Sequence, residues 1–144
     1  MQTIAPAEDG SSPKLKPLVV LGVLAFALAL RLAHHIVWGY INMGKISEAR
    51  TLAEFIARQQ PDDGPILEAL GYTASARRRY RQAAEHYMRA IAVRPRSHVA
   101  HYNLAKVFLE MGDRQQAAQE AKIAVSLYSS ADYWTLLKQT QSAP

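Results

Sequence analysis

The sequence contains no cysteine. That excludes thiol nucleophiles, disulfide staples and Cys-ligated zinc, and it leaves no trace of a redox compartment. Glycine and proline are sparse, seven of each in 144 residues, which excludes collagen-like and low-complexity chains. Charged residues make up only 20% and the formal net charge is +5. That balance permits an acidic partner or an anionic membrane surface without requiring one. The phosphate-cradling, dinucleotide, zinc-protease and nucleophile-elbow patterns are all missing. No residue stands out as a catalyst, and no cofactor or small-molecule substrate is expected.

Apolar residues, by contrast, reach 49%, and alanine is the most frequent residue type. The mean hydropathy of -0.13 is that of a soluble protein, but the apolar content is unevenly placed. Residues 1–17 read as a flexible polar tail, with Pro6, Gly10, Ser11, Ser12, Pro13 and Pro17 and no periodicity. Residues 18–38 follow, with only Gly22, Arg31, His34 and His35 interrupting an apolar run. A bilayer needs about 20 such residues as a helix. Arg31 can snorkel to the headgroups along its own stem. Trp38 and Tyr40 sit where interfacial aromatics sit, and Lys14 and Lys16 flank the other end. Two other readings stay open. Lys14, Lys16 and Ala27-Leu28-Ala29 also resemble a cleavable signal peptide, although no polar region precedes that cleavage pattern and apolar character resumes at Ile36. A buried core helix is the other.

Beyond the middle of that apolar run the chain repeats itself at a fixed interval. Ala49, Ala83 and Ala117 align, as do Ile36, Leu70 and Leu104, and Val37, Gly71 and Ala105. Pro61 and Pro95 share a slot with Ser129, and Gly44 and Gly112 share one with Arg78. A 34-residue period with small residues at fixed helical positions resembles the tetratricopeptide repeat family. The segment 64–97 fits best, through Leu67, Leu70-Gly71, Ala83, Tyr87, Ala90 and Pro95. Ala74 replaces the usual aromatic there, and Arg78 the usual glycine. Segment 98–131 keeps Leu104, Ala105, Phe108, Gly112, Ala117 and Ala124, but has Ala121 in a large aromatic slot. Segment 30–63 is a degenerate copy that overlaps the apolar run, with Tyr40, Gly44, Ala49 and Pro61 kept and Ile56 where alanine is expected. Residues 132–144 read as a capping helix and tail.

The apolar run and the resemblance together imply an all-α fold: a single N-terminal transmembrane helix, then a short helical solenoid of about three helix-turn-helix units and a C-terminal capping helix. The double claim on residues 31–38 is resolved by one long helix from about Pro17 to Met43, lipid-facing first and packed on Ser47–Arg58 afterwards. Close helix approach is expected at Gly71 with Ala83 and at Ala105 with Ala117.

The resemblance also implies a concave groove lined by the first helix of each unit. Glu68, Tyr72 and Ser75 fall on one helical face, and Tyr102, Lys106 and Leu109 repeat the spacing, with Val99, Asn103 and Glu110 beside them. Such a face suits an extended peptide or a partner helix. Some family members clamp a C-terminal carboxylate with a Lys/Asn pair. Glu68 and Tyr72 occupy those slots here, so that clamp is not expected. The basic cluster Arg77, Arg78, Arg79 and Arg81 suits anionic lipid or an acidic protein; without stacking platforms, nucleic acid is not expected. His98 and His101, at i and i+3, lack a complete ligand set, so no metal is expected. The function implied is a membrane-anchored adaptor or accessory protein that binds another protein during assembly of a membrane or envelope complex. The alternatives are a structural subunit held through its membrane helix and a peripheral anionic-lipid-binding module. The architecture resembles bacterial envelope factors, which suggests an inner membrane with the repeat domain on the exported side.

Overall fold

A computed structural model describes residues 16–142; the expected N-terminal tail lies almost wholly outside them. Seven helices and no strand occur among the described residues. They are α1 Pro17–Asn42, α2 Ile46–Gln59, α3 Gly64–Ala76, α4 Tyr80–Val93, α5 His98–Glu110, α6 Arg114–Leu127 and α7 Ala131–Gln141.

The helix boundaries follow local chemistry. Pro17 opens α1, where a missing N–H costs nothing. Asp63, Ser97, Asp113 and Ser130 each cap a helix by accepting a backbone N–H, from Ile66, Ala100, Gln116 and Tyr133 respectively. The turns after α1, α3 and α5 each need one residue in the left-handed region. Gly44 (φ 73°), Arg78 (φ 58°) and Gly112 (φ 82°) supply it at the same place in the repeat register. Arg78 therefore keeps the glycine conformation without being glycine.

Consecutive helices pack as antiparallel pairs. Ala49, Ala83 and Ala117 are wholly buried at equivalent crossings. Val37 and Ile41 of α1 share a core with Ala53 and Ile56 of α2 and with Ile66 and Leu70 of α3. Leu67, Tyr87, Leu104 and Phe108 join the second unit to the third. Leu136 and Leu137 of α7 close the array over Ala105 and Ala121. Gly71 lies against the ring of Tyr87, and a Cβ at Gly71 would sit 2.8 Å from that ring.

Helix α1 is unbroken from Pro17 to Asn42. Every residue from Pro17 to Ala29 is exposed, whereas Leu30 and Ala33 already pack on the first core. Its best 18-residue window has a mean hydropathy of 2.0 and no buried residue, so α1 is long and apolar enough to cross a membrane. The alternating direction of the helices gives the array two ends. The α2–α3 turn lies on the Pro17 side, where Nε2 of His34 is 2.7 Å from Oδ2 of Asp63 and Arg89 donates to the Pro61 carbonyl. The α1–α2, α3–α4 and α5–α6 turns form the opposite end, where the Tyr80 hydroxyl donates to Glu110.

Candidate partner-binding groove

The first helices of neighbouring units, α1, α3, α5 and α7, touch one another, while α2, α4 and α6 do not. The array thus curves with the odd-numbered helices on its inner side. The repeat register puts Trp38, Tyr72 and Lys106 in one row along that side. The Trp38 and Tyr72 rings are 6.4 Å apart. Further along, Tyr102 stacks on Tyr133 at 4.3 Å with the planes nearly parallel, and the Lys106 ammonium lies 5.5 Å from the Tyr102 ring centre. That distance is within cation–π range. His98 continues the aromatic cluster, 4.7 Å from the Tyr128 ring and with Nδ1 2.9 Å from the Tyr133 hydroxyl.

A cleft of about 220 Å³ opens between α5 and α7, lined by Tyr102, Lys106, Leu109 and Glu110 on one side and Asp132, Thr135, Leu136 and Gln139 on the other. Burial raises the phenol of Tyr102 above its ordinary pKa, and the nearby Asp132 carboxylate adds to the effect. Tyr133 is shifted the same way, first by burial and then by Tyr102 and Tyr128. The cleft offers apolar faces, one lysine and two acidic side chains.

All of the expected groove residues except Glu68 are at least partly exposed. Tyr72 is exposed, Ser75, Val99, Tyr102, Asn103 and Leu109 are half-buried, and Lys106 and Glu110 are exposed. Glu68 is the correction. It is only 6% exposed and accepts a hydrogen bond of 2.6 Å from Ser97, with Arg94 3.7 Å away. The start of α5 covers its carboxylate, so Glu68 is a structural link between units and not part of an open face. Trp38, Tyr133, Asp132, Thr135 and Gln139 are additions. The register carried back from Tyr72 points to Trp38, and Tyr133 lies one full repeat after Val99. Membrane-interface character drew the sequence reading of Trp38 elsewhere.

The basic residues Arg77, Arg78, Arg79 and Arg81 are all exposed, at the end of the array opposite Pro17. Arg79 and Arg77 border a small recess with Arg50, Thr73 and His86. Burial lowers the His86 pKa, and Arg89 adds to the lowering; its Nδ1 is buried without a partner. His101 is held between Oε2 of Glu120 at 2.6 Å and the Pro95 carbonyl at 3.0 Å. Among the described residues, no three His, Asp or Glu converge as metal ligands.

No protein-family model matches the sequence, and no curated protein matches it either. Solved structures do. An O-GlcNAc transferase variant from Thermobaculum terrenum superposes with a TM-score of 0.76 at 20% identity, over 79% of this chain but only 22% of that one. The type III secretion chaperone SycD of Yersinia enterocolitica, in complex with a peptide of the translocator YopD, gives 0.71 at 15% identity, covering 78% and 92% of the two chains. The first TPR of Spaghetti (RPAP3), bound to an HSP90 peptide, gives 0.73 at 12% identity, covering 78% and 90%. The described chain has the tetratricopeptide-repeat fold. At these identities the likeness is one of fold. The TPR array here is short, with α1–α2, α3–α4 and α5–α6 as its helical pairs and α7 as the closing helix.

Proposed function

We propose that this protein is a membrane-anchored, non-enzymatic adaptor that holds a segment of a partner protein on the inner side of its TPR array. The observation that carries the reading is the aromatic row itself. Trp38 and Tyr72, then Tyr102 stacked on Tyr133 under Lys106, form a ligand-facing strip on four successive inner helices. Large, stiff aromatic side chains beside a cation are the residues that carry binding energy at protein interfaces. Two structures of similar fold hold peptides, one of YopD and one of HSP90. The anchor is α1, whose first half, Pro17–Ala29, is exposed along its whole length. Confinement to a membrane raises the effective concentration of partners in the same plane. A bacterial inner membrane with an exported TPR array, in the assembly of an envelope complex, is the setting this architecture fits.

The test is affinity purification of the full-length protein in mild detergent with crosslinking mass spectrometry. Crosslinks should cluster on the strip, and replacing Tyr72, Tyr102 and Lys106 by alanine should abolish capture. Undiminished capture by the triple variant sinks the groove reading.

A second reading is favoured by the small residues Gly22, Ala25, Ala27 and Ala29 on the exposed half of α1, which suit close packing in a larger membrane complex. Exchanging Pro17–Ala29 for an unrelated apolar helix abolishes function under this reading alone. The lipid-binding reading of the arginine cluster is disfavoured by its place at the far end from Pro17. An acidic partner segment suits it better.

A further inference from the structure

The first turns of α4 and α6 differ at one telling position. Asp113 opens α6, and its carboxylate accepts two bonds from Gln116, 3.0 Å from the backbone N–H and 2.8 Å from the side-chain amide. One repeat earlier the same glutamine is present as Gln82, but Arg79 stands in the place of Asp113. The backbone at the two positions has the same φ, -87°. Helix α4 accordingly has no side-chain cap and no acidic residue in its first turn. Its first N–H groups and the positive end of its dipole lack the carboxylate that α6 supplies for itself.

Around this helix end lie Arg77, Arg78, Arg79 and Arg81, all exposed. Among the described residues none of the four is in an ion pair, whereas Arg50 is paired with Glu54 and Arg94 lies 3.7 Å from Glu68. Arg79 and Gln82 border both the small recess beside His86 and a shallow depression of about 710 Å³ that reaches Met111 at the end of α5. Met111 is exposed, an apolar contact next to the charges. Glu85 also lines the depression, and Tyr80 there donates its hydroxyl to Glu110. Those carboxylates repel a continuous polyanion such as nucleic acid, but a short segment can place single carboxylates between them. A guanidinium meets a carboxylate with two parallel hydrogen bonds.

We propose that the α3–α4 turn is a second docking site, outside the groove, for an acidic segment of a partner protein. One aspartate or glutamate of that segment takes the place at α4 that Asp113 takes at α6. Its carboxylate accepts from Gln82, and Arg78, Arg79 and Arg81 surround it. An apolar residue of the same segment covers Met111. The site lies at the end of the array opposite Pro17 and stands whether or not the inner groove holds a peptide.

The full chain in mild detergent is titrated against a fluorescein-labelled peptide of repeated Glu-Glu-Leu-Asp, with fluorescence anisotropy as the readout. Arg79→Asp gives α4 its own carboxylate cap, as in α6. It should melt no lower than wild type, yet bind the peptide at least about fivefold more weakly, the size expected for two exposed charge pairs. Arg58→Gln with Arg96→Gln removes the same net charge at the opposite end and should change affinity by less than about twofold at about 0.15 M salt. Should Arg79→Asp melt lower than wild type, Arg78→Gly with Arg81→Gln, which again removes that charge, decides by the same fivefold criterion. Equal weakening at the two ends, equal affinity for a peptide with Gln and Asn in place of Glu and Asp, or no binding by wild type overturns the inference. So does displacement by oligothymidylate at a lower concentration than by unlabelled peptide, which would make the patch a nucleic-acid surface. Tyr72→Ala with Tyr102→Ala should leave peptide binding unchanged; a loss there puts the acidic peptide in the groove and removes the second site.

Discussion

The Ser97 hydroxyl joins two repeats with one oxygen. It donates to Glu68 on α3 at 2.6 Å while accepting the Ala100 N–H at 3.3 Å, so it caps α5 and satisfies a buried carboxylate together. Ser97→Ala loses the cap, about 1 kcal/mol, and strands part of a buried carboxylate, about 1–3 kcal/mol more. Ser97→Asp keeps the capping oxygen but sets a second carboxylate beside Glu68. It is expected to be the worse of the two, although aspartate caps as well as serine. Urea unfolding of both variants in detergent checks the order; an aspartate variant as stable as wild type refutes it.

Gly71 beneath Tyr87 makes a second expectation. Alanine is the better helix former by about 1 kcal/mol, but its Cβ would meet the Tyr87 ring at 2.8 Å. That ring is almost wholly buried in the core and has no room to retreat. Overpacking costs about 1–3 kcal/mol, so Gly71→Ala should destabilise despite the gain in propensity. In a Tyr87→Leu background the penalty should shrink, and equal effects in both backgrounds would remove the steric explanation.

Arg78 occupies a left-handed conformation that Gly44 and Gly112 adopt at the equivalent turns. A side chain there costs about 1–2 kcal/mol, partly offset by glycine's greater freedom when unfolded. Arg78→Gly should therefore raise the unfolding midpoint, by about 0.5–1 kcal/mol in stability. Gly112→Arg should lower it. If the arginine serves an acidic partner, the stabilised Arg78→Gly protein will also bind it less well. A midpoint unchanged by Arg78→Gly would mean that the turn relaxes at no cost.

His86 predicts the direction of one pH effect. Burial lowers its pKa below the ordinary 6.5, with Arg89 adding to the shift. On acidification the unfolded chain takes up this proton before the folded chain does, so the contribution of His86 to stability is full above 6.5 and declines below it. The drop in melting temperature between about pH 7.5 and pH 5.5 should be smaller in His86→Gln than in wild type. A drop of equal size in the two proteins contradicts the assignment.

The repeat register made most of the fold legible. It placed the alanine crossings at Ala49, Ala83 and Ala117 and the odd residue among the turn glycines, because each recurs at a fixed spacing, while the single long first helix followed from the overlap of the apolar run with the first repeat. Glu68 was not legible. Helical spacing put it beside Tyr72, yet the partner that buries it, Ser97, arrives from the next unit 29 positions away. Trp38 was hidden for another reason, since an indole suits a membrane interface and a protein groove equally well. Tyr133 needed α7 to be read as part of the inner side and not only as a lid.

On the anchor and groove readings proposed above, the continuity of α1 makes it a keyed shaft between membrane and groove. One residue inserted near Leu24 would turn Pro17–Val23 by about 100° relative to the TPR array and lengthen the rod by only about 1.5 Å. Seven inserted residues would restore the azimuth to within about 20° while adding roughly 10 Å. Angle and height can thus be varied almost independently, and whichever of the two insertions silences the protein shows whether its partner reads the compass bearing of the groove or its altitude.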